Sequence, residues 1–315
     1  MQIPSALSIA PRNLPRVGQA LPSRYADMSC AALVVETAGY LVPQADFIGR
    51  VHSVFAQACN IAVGDMLLTV CVPRAGNGAT TLCLADRTVR DLRDLFDAGE
   101  RVVCRDGVAR TGRALLHWTG AIVWRPDEPG PMLAPARIDE HLRAAGLHLA
   151  RQRRTRSSVI DGRAAPVVAA LRIACRALDG AAAAREVDRL VGWGEGLTPA
   201  GDDFLVGMLA GLDALALGDE RRQRFRAVLA AAVIARLQRT TPIAAHFLRL
   251  AAGGHYNEPL VALRNALLGE PRADAVVAAL RRALDIGATS GADTVSGLLA
   301  GLAAWLPASP TAASA

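Results

Sequence analysis

The chain has 315 residues, a formal net charge of +6 and a hydrophobic fraction of 52%. This composition excludes a disordered protein and a disulfide-stabilised miniprotein, and it is sufficient for one large domain or two ordinary domains with cores. All 35 basic residues are arginine, and aromatic residues make up only 4%. The densest basic run, residues 151–156, is short and typical of a solvated helix end, so we predict no nucleic-acid partner.

The cysteines and the apolar segments indicate the cellular setting. The cysteines form no C-x-x-C pair, which argues against a zinc or redox motif and favours reduced thiols in a cytoplasmic protein. The most apolar windows, residues 204–218 and 295–305, are too short to span a bilayer, so we predict buried helices and no membrane partner. Residues 1–29 carry prolines and arginines where a secretory signal would be apolar, and we expect a loose extension. The cysteines are Cys30, Cys59, Cys71, Cys83, Cys104 and Cys175.

Residues 30–135 have the pattern of a β-rich domain. Short runs of Val, Ile, Leu, Thr and Cys alternate there with turn-forming Pro, Gly, Asn and Asp, which predicts an antiparallel arrangement of strands. The predicted strands are 31–37, 47–55, 66–72, 80–84, 101–105, 114–118 and 121–124.

Residues 136–308 have the pattern of an α-helical domain. From Ile138 through Leu142 and Ala145 to Leu149 the apolar residues recur at spacings of three and four, and alanine is abundant. Four prolines in residues 126–135 mark the junction between the two halves, and residues 309–315 are expected to form a disordered tail. The fold class predicted is therefore α+β, with the strands in the N-terminal half and the helices in the C-terminal half.

Two segments of the helical half repeat one another. When the segments that begin at Thr198 and Ala288 are aligned, seven of fifteen positions are identical. This agreement predicts a degenerate internal duplication within the helical domain. The identical pairs are Gly201/Gly291, Asp203/Asp293, Gly207/Gly297, Leu209/Leu299, Ala210/Ala300, Gly211/Gly301 and Leu212/Leu302.

The spacing within each copy predicts a packed helix with an acidic leading end. Asp203 is followed by glycines four and eight positions later, and Asp293 is followed in the same way, so each aspartate heads the glycine stripe of its helix. Glycine inside a helix costs about 0.5–1 kcal/mol relative to alanine, and close approach of another backbone is the usual reason for it. We expect both aspartates to point along buried faces towards a common site.

The loops before these helices predict an anion site. Unpaired backbone N–H groups and the positive ends of the helix dipoles would collect there, which suits an anion, a cation held by the carboxylates, or both together. The opposing interpretation is that the aspartates only cap ordinary helices. The candidate anion-binding residues in these segments are Gly194, Gly196, Thr198, Gly201, Ser290 and Gly291.

Familiar catalytic motifs are missing, and four further residues are weaker candidates. The chain has no lysine for a Walker loop, Pro199 interrupts a dinucleotide-binding glycine pattern, and the Gly-x-Ser-x-Gly motif does not occur. Pro242 suits a first helical position and makes Thr241 a plausible cap, whereas Thr240 and Thr241 could instead offer hydroxyls to the site. In the β half, His52 and Asn60 are candidates for a binding pocket.

These motifs resemble those of the AllH-type family, which was long regarded as a domain of unknown function. The resemblance is carried by the segments 194–207, 239–241, 290–294, 51–55 and 60–61, and it extends from about residue 30 to residue 305. It implies a subunit of oxamate carbamoyltransferase, which works with two other subunits in anaerobic allantoin breakdown. That enzyme converts oxalurate and phosphate to oxamate and carbamoyl phosphate.

Together, the motifs and the resemblance give the following hypothesis. The loop at residues 194–201 with Thr198 binds a small anionic substrate, and Asp203 and Asp293 act as base or hold a divalent cation such as Mg²⁺, with Asp202 as a further catalytic candidate. The partners implied are other carbamoyltransferase subunits, and a homo-oligomer is compatible with the sequence. Two alternatives stay open: a non-catalytic assembly subunit, and a metal-dependent hydrolase that uses Asp203 and Asp293.

Overall fold

A computed structural model describes residues 30–85, 89–153 and 164–306 of the chain. The predicted extension at residues 1–29, the predicted tail at 309–315 and the second half of the arginine run 151–156 lie outside the described residues. The chain divides into two compact units, Met1–Trp124 and Arg125–Ala315. In the described residues the first unit contains only strands and short 3₁₀ turns and the second contains the α-helices, which confirms the α+β class.

Among the described residues, the β unit is a sheet of nine strands, eight of which close into a ring. The strands are β1 Ala31–Gly39, β2 Phe47–Val54, β3 Ala58–Val63, β4 Met66–Cys71, β5 Thr81–Leu84, β6 Arg101–Arg105, β7 Val108–Arg110, β8 Ala114–His117 and β9 Ile122–Trp124. The ring has the order β5-β4-β3-β2-β6-β7-β8-β1 and closes because β1 also pairs with β5, while β9 pairs with the last residues of β1.

Most strand pairs in this sheet are antiparallel, as the sequence predicts. Three pairs are parallel, namely β1 with β8, β1 with β9 and β4 with β5. Strand β1 lies far from β8 and β9 along the chain, and a 3₁₀ turn at Pro73–Ala75 lies between β4 and β5. No local sequence pattern therefore indicates these three pairings. The interior of the unit is filled by buried apolar side chains, including Ile61, Leu68 and Leu116. Strands β3 and β7 are absent from the predicted set. Strand β7 has only three residues.

The helical unit contains nine α-helices in the part of the chain that the structure describes. The apolar stripe predicted for the first helix is buried at Ile138, Ala145 and Leu149. The predicted cap Thr241 precedes the helix that begins at Pro242, and its hydroxyl accepts from the N–H of Ala244 at 3.1 Å. The helices are α1 Pro135–Arg153, α2 Ala165–Ala177, α3 Gly180–Leu190, α4 Ala200–Ala216, α5 Glu220–Ile234, α6 Pro242–Ala252, α7 Glu258–Gly269, α8 Ala273–Leu284 and α9 Ser290–Trp305. No helix among the described residues is long and apolar enough to cross a membrane.

The two copies of the internal repeat, α4 and α9, pack against one another through their glycines. A Cβ atom placed on Gly207 would lie 1.8 Å from the carbonyl oxygen of Thr294, and one placed on Gly297 would lie 1.9 Å from that of Phe204. Thr294 and Phe204 occupy equivalent positions in the two copies, so the helices pack in parallel about a local pseudo-twofold axis. The glycines one turn later, Gly211 and Gly301, approach each other in the same way.

The neighbourhood of the helix pair follows the same symmetry. A Cβ on Gly201 would lie 2.1 Å from the carbonyl oxygen of Leu190 at the end of α3, and one on Gly291 would lie 2.3 Å from that of Ala283 in α8. At the other end Arg222 donates to the carbonyl oxygens of Leu215 at 3.0 Å and Trp305 at 3.1 Å, which are again equivalent positions. One guanidinium therefore caps the carboxyl ends of both helices.

We expect Gly207→Ala to destabilise the helical unit by about 2 kcal/mol or more, because the added methyl group overlaps the Thr294 carbonyl and the helices must separate. The matched control is Gly146→Ala in α1, where an added Cβ meets nothing within 4 Å. Since alanine is the better helix former, the control should be neutral or stabilising by up to about 1 kcal/mol. Urea unfolding measures both free energies, and equal effects would contradict the packing described.

Candidate functional site

The loop between α3 and α4 carries three glycines in the left-handed backbone region. Gly192, Gly194 and Gly196 have φ of 75°, 111° and 88°. A side chain at Gly192 would also lie 2.4 Å from the carbonyl oxygen of Arg239. The glycine-rich run is therefore required by the backbone path, which only glycine follows without strain. Residues 194–197 of this loop are exposed to solvent.

The backbone donors at the two helix starts are already used within the chain. The N–H of Gly201 donates to Trp193 at 2.9 Å and that of Gly291 to Ile286 at 2.9 Å. The N–H groups of Asp203 and Asp293 donate to the carbonyls of the residues that precede the helices. The prediction of unpaired N–H groups at the glycine-bearing loops therefore does not extend to these four groups. The N–H groups of loop residues 194–198 have no backbone acceptor among the described residues.

Asp202 is held by the polypeptide itself. Its Oδ1 accepts from the N–H of Gly192 at 2.9 Å, and its Oδ2 accepts from the hydroxyl of Thr240. Burial raises the pKa of Asp202, and these two hydrogen bonds partly offset that rise. Asp202 thus ties the start of α4 to the loop before it and to the segment before α6, and the catalytic role predicted for it stays a prediction. The structural importance of Gly192 was missed, although it belongs to the same glycine-rich run.

Asp203 and Asp293 lie at equivalent positions, the fourth residue of α4 and of α9. Only 8% of Asp203 and 1% of Asp293 is exposed. Burial raises the pKa of Asp203 to about 8, an effect that the hydroxyl of Ser290 opposes and the charge of Asp293 reinforces. The Oδ2 of Asp203 is buried and has no hydrogen-bond partner among the described residues. Asp203 is therefore protonated at neutral pH, which makes it a potential proton donor.

Hydroxyl groups connect the two helix starts above these carboxyls. The hydroxyls of Thr198 and Ser290 are 2.8 Å apart, and both hydrogen-bond to Asp203. Thr241, besides capping α6, donates its hydroxyl to the carbonyl of Leu197. The structure thus brings together the predicted site residues of both repeat copies and of the segment 240–241 in one place.

His52 and Asn60 belong to the β unit, where both contact the hydroxyl of Ser53. The side-chain amide of Asn60 donates to Ser53 at 3.0 Å and its oxygen accepts from Thr69 at 2.8 Å. Nδ1 of His52 lies 3.2 Å from the same serine hydroxyl. Asn60 is buried and His52 is exposed. Their predicted role in substrate binding stays a prediction.

The predicted metal ligands form a pair and not a larger cluster. In the described ranges, no group of three or more His, Cys, Asp or Glu side chains is arranged to hold a metal ion. A Mg²⁺ ion prefers six oxygen ligands, so Asp203 and Asp293 could hold one only if substrate or water supplied the others.

The sequence comparisons identify the class of protein in which this site lies. Residues 190–302, which contain the glycine-rich loop and both aspartates, match a family model described as oxamate carbamoyltransferase subunit AllH. Residues 30–121, the β unit, match the model of the AllH family N-terminal domain. The class is therefore that of carbamoyltransferase subunits, and because the two matches cover most of the chain, it belongs to the AllH family. Neither a curated protein nor a solved structure matches it.

The raised pKa of Asp203 predicts a pH-dependent stability. The unfolded chain releases this proton near its ordinary value of 3.8, whereas the folded chain keeps it until about pH 8. Between these values the folded state binds more protons, so the free energy of unfolding falls as pH rises, by up to about 1.4 kcal/mol per pH unit. Asp203→Asn removes this titration, and its stability relative to the parent should increase steadily from pH 5 to pH 8.

Denaturant unfolding at four pH values in this range measures the difference. The control is Asp274→Asn, a first-turn aspartate of α8 whose side chain is 69% exposed. The pKa of Asp274 is lowered by the hydrogen bond from Arg272, so its carboxylate stays ionised above pH 5 in both states. A constant stability difference for Asp203→Asn over this range would contradict the assigned protonation.

Proposed function

We propose that this chain is the carbamoyltransferase subunit that binds the small anionic substrates, oxamate or oxalurate with phosphate or carbamoyl phosphate, at the paired starts of α4 and α9. The observation that carries the proposal is the buried carboxyl of Asp203, protonated at neutral pH and with Oδ2 unbonded, beside an exposed loop whose N–H groups have no backbone acceptor among the described residues. The other subunits implied by the family description complete the enzyme.

The proposed chemistry requires a proton at one nitrogen atom. In the phosphorolytic direction a phosphate oxygen attacks the ureido carbonyl carbon of oxalurate, and the bond from that carbon to the oxamate nitrogen breaks. The nitrogen leaves as a neutral amide only if it receives a proton. Asp203 supplies this proton, and in the synthetic direction the ionised carboxylate takes it back from the attacking amide nitrogen. A carboxyl with a pKa near 8 can serve in both directions at neutral pH.

The remaining groups of the site suit the binding of anions. The N–H groups of residues 194–198 supply donors, and the hydroxyls of Thr198 and Ser290 supply more. A protonated Asp203 does not repel a phosphate or a carboxylate, whereas an ionised one would. Gly201, Gly291 and Asp202 fix the helix starts, and Thr240 and Thr241 hold the loop from the other side.

Both alternative functions differ from this one in a measurable way. If the chain served assembly alone, the glycine packing would be unchanged, but the loop would bind no substrate. If it were a hydrolase using Asp203 and Asp293, activity would depend on a divalent metal, for which the described residues offer only two carboxylates. A cytoplasmic location is part of the proposal, since the six cysteines are thiols and five of them are buried.

In the assembled complex, Asp203→Asn should lower carbamoyl transfer by about a hundredfold or more, because an amide cannot donate the acidic proton. Asp293→Asn should also lower the rate, since it changes the charge beside Asp203. Product formation with oxalurate and phosphate measures both, and Asp274→Asn should stay within twofold of the parent. Activity of a folded Asp203→Asn complex within a few-fold of the parent would reject the role of proton donor.

A thermal-shift titration separates substrate binding from an assembly role. The isolated chain is tested with phosphate, carbamoyl phosphate, oxamate and Mg²⁺, each alone and in pairs. A ligand present at a hundred times its Kd stabilises the fold by about 2.7 kcal/mol, which is a clear rise in Tm. Thr198→Val should abolish the rise. Absence of a rise with every anion, in the complex as well as in the lone chain, would favour the assembly subunit.

A further inference from the structure

The helical unit contains a cavity at the opposite end of α4 from the proposed substrate site. Its volume is about 810 Å³, and it is lined by the last residues of α4 and α6, by α5 and α7 and by residues 129–132. Asp213 in its wall is ten residues after Asp203 on the same helix, which corresponds to about 15 Å along the axis. The volume lies within the range of about 300–1,000 Å³ typical of small-molecule sites.

Two of the three arginines in the cavity wall are fully engaged within the protein. Arg226, which is buried, donates to Asp213 at 2.8 Å and to the carbonyls of Ala251 and Ala252 at 2.7 Å. Arg222 donates to the carbonyl oxygens at the ends of α4 and α9. These two guanidinium groups stabilise helix ends, and their charges have carboxylate partners in Asp213 and Asp219.

Arg264, on α7, is the third arginine and differs from the other two. Its guanidinium is partly buried and, within the described part of the chain, donates only to the side-chain oxygen of Asn265, from Nε at 3.2 Å and from Nη2 at 3.1 Å. No carboxylate of the described residues forms an ion pair with it. Burial lowers the pKa of Arg264, and the charges of Tyr256 and Asp213 offset this only in part, which reflects the cost of a partly desolvated charge. An anion in the cavity would offset this cost.

The rest of the cavity wall is mainly apolar. Leu215 and Leu268 are buried in the wall, whereas Leu217 and Met132 are 72% and 54% exposed. Large exposed apolar side chains beside a concave surface are typical of a binding site. A ligand that covers them must carry an apolar body in addition to its charged group.

We propose that this cavity binds a small organic anion, whose carboxylate or phosphate pairs with Arg264 and whose apolar body packs against Leu217 and Met132. With Nε and Nη2 on Asn265, Nη1 is the guanidinium nitrogen without a partner among the described residues, and it can donate to either kind of oxyanion. The proposal does not rest on the carbamoyltransferase assignment, because the site lies at the other end of α4 and shares no residue with it.

Calorimetric titration of the full-length chain tests the proposal with four probes. Benzoate and phenyl phosphate carry an apolar ring with each kind of anion, inorganic phosphate lacks the ring, and benzylamine carries the ring with a positive charge. We expect saturable binding of benzoate or phenyl phosphate, and the comparison of the two identifies the preferred head group. Binding by inorganic phosphate should be weaker at this site, and benzylamine should not bind.

Three variants test whether the anion binds in the cavity. Arg264→Met should raise the Kd of the aromatic anion by about tenfold or more. The control is Arg281→Gln, which removes an exposed positive charge on α8 and should change the Kd by less than twofold. Ala227→Phe keeps every charge but narrows the cavity, and it should also weaken the aromatic anions by about tenfold. If Arg264→Met does not fold, the Kd of Ala227→Phe shows whether the anion binds in the cavity. No saturable binding by the parent, an unchanged Kd in a folded Arg264→Met, or an equal loss in Arg281→Gln would overturn the proposal.

Discussion

The close packing of α4 against α9 is the constraint on which the helical unit depends. Gly207 and Gly297 allow the two backbones to approach so closely that a single methyl group on either would overlap a carbonyl oxygen of the partner helix. Glycine weakens each helix taken alone by about 0.5–1 kcal/mol per residue. The contact between the helices must offset that loss, since 14 of the 17 residues of α4 and 9 of the 16 residues of α9 are buried.

Parallel packing of two equivalent helices brings like ends together, and this explains the chemistry at each end. At the carboxyl ends two sets of carbonyl oxygens meet, and the single guanidinium of Arg222 bonds to both. At the amino ends two aspartates meet in a buried environment. The positive ends of the helix dipoles favour ionised carboxylates by at most about 2 kcal/mol. A pKa of about 8 for Asp203 corresponds to an opposing effect on the order of 5 kcal/mol, so burial is dominant.

Because burial outweighs the helix dipole at Asp203, this aspartate differs from the first-turn aspartates that cap ordinary helices. A first-turn aspartate such as Asp274 is exposed and ionised, and it contributes only to local stability. Asp202 is buried but saturated by hydrogen bonds from Gly192 and Thr240. Asp203 is buried with one oxygen unbonded, a state that costs stability. Groups held in a costly state are more frequent at functional sites than elsewhere, which is why the proposed chemistry centres on this residue.

The sequence alone determined the fold class, the order of the two halves, the repeat and the family, because each of these depends on local periodicity or on motifs within a short segment. The strand pattern of residues 31–54 and the glycine spacing from Gly207 to Gly211 are examples. The tertiary structure decided which side chains meet, since that depends on contacts between residues far apart in the chain. It showed that the N–H groups of Gly201, Asp203, Gly291 and Asp293 are paired, whereas those of loop residues 194–198 have no backbone acceptor among the described residues. It also brought Arg222 and Arg264 into the wall of one cavity, although no motif connects them, because only packing of the complete unit sets such distances.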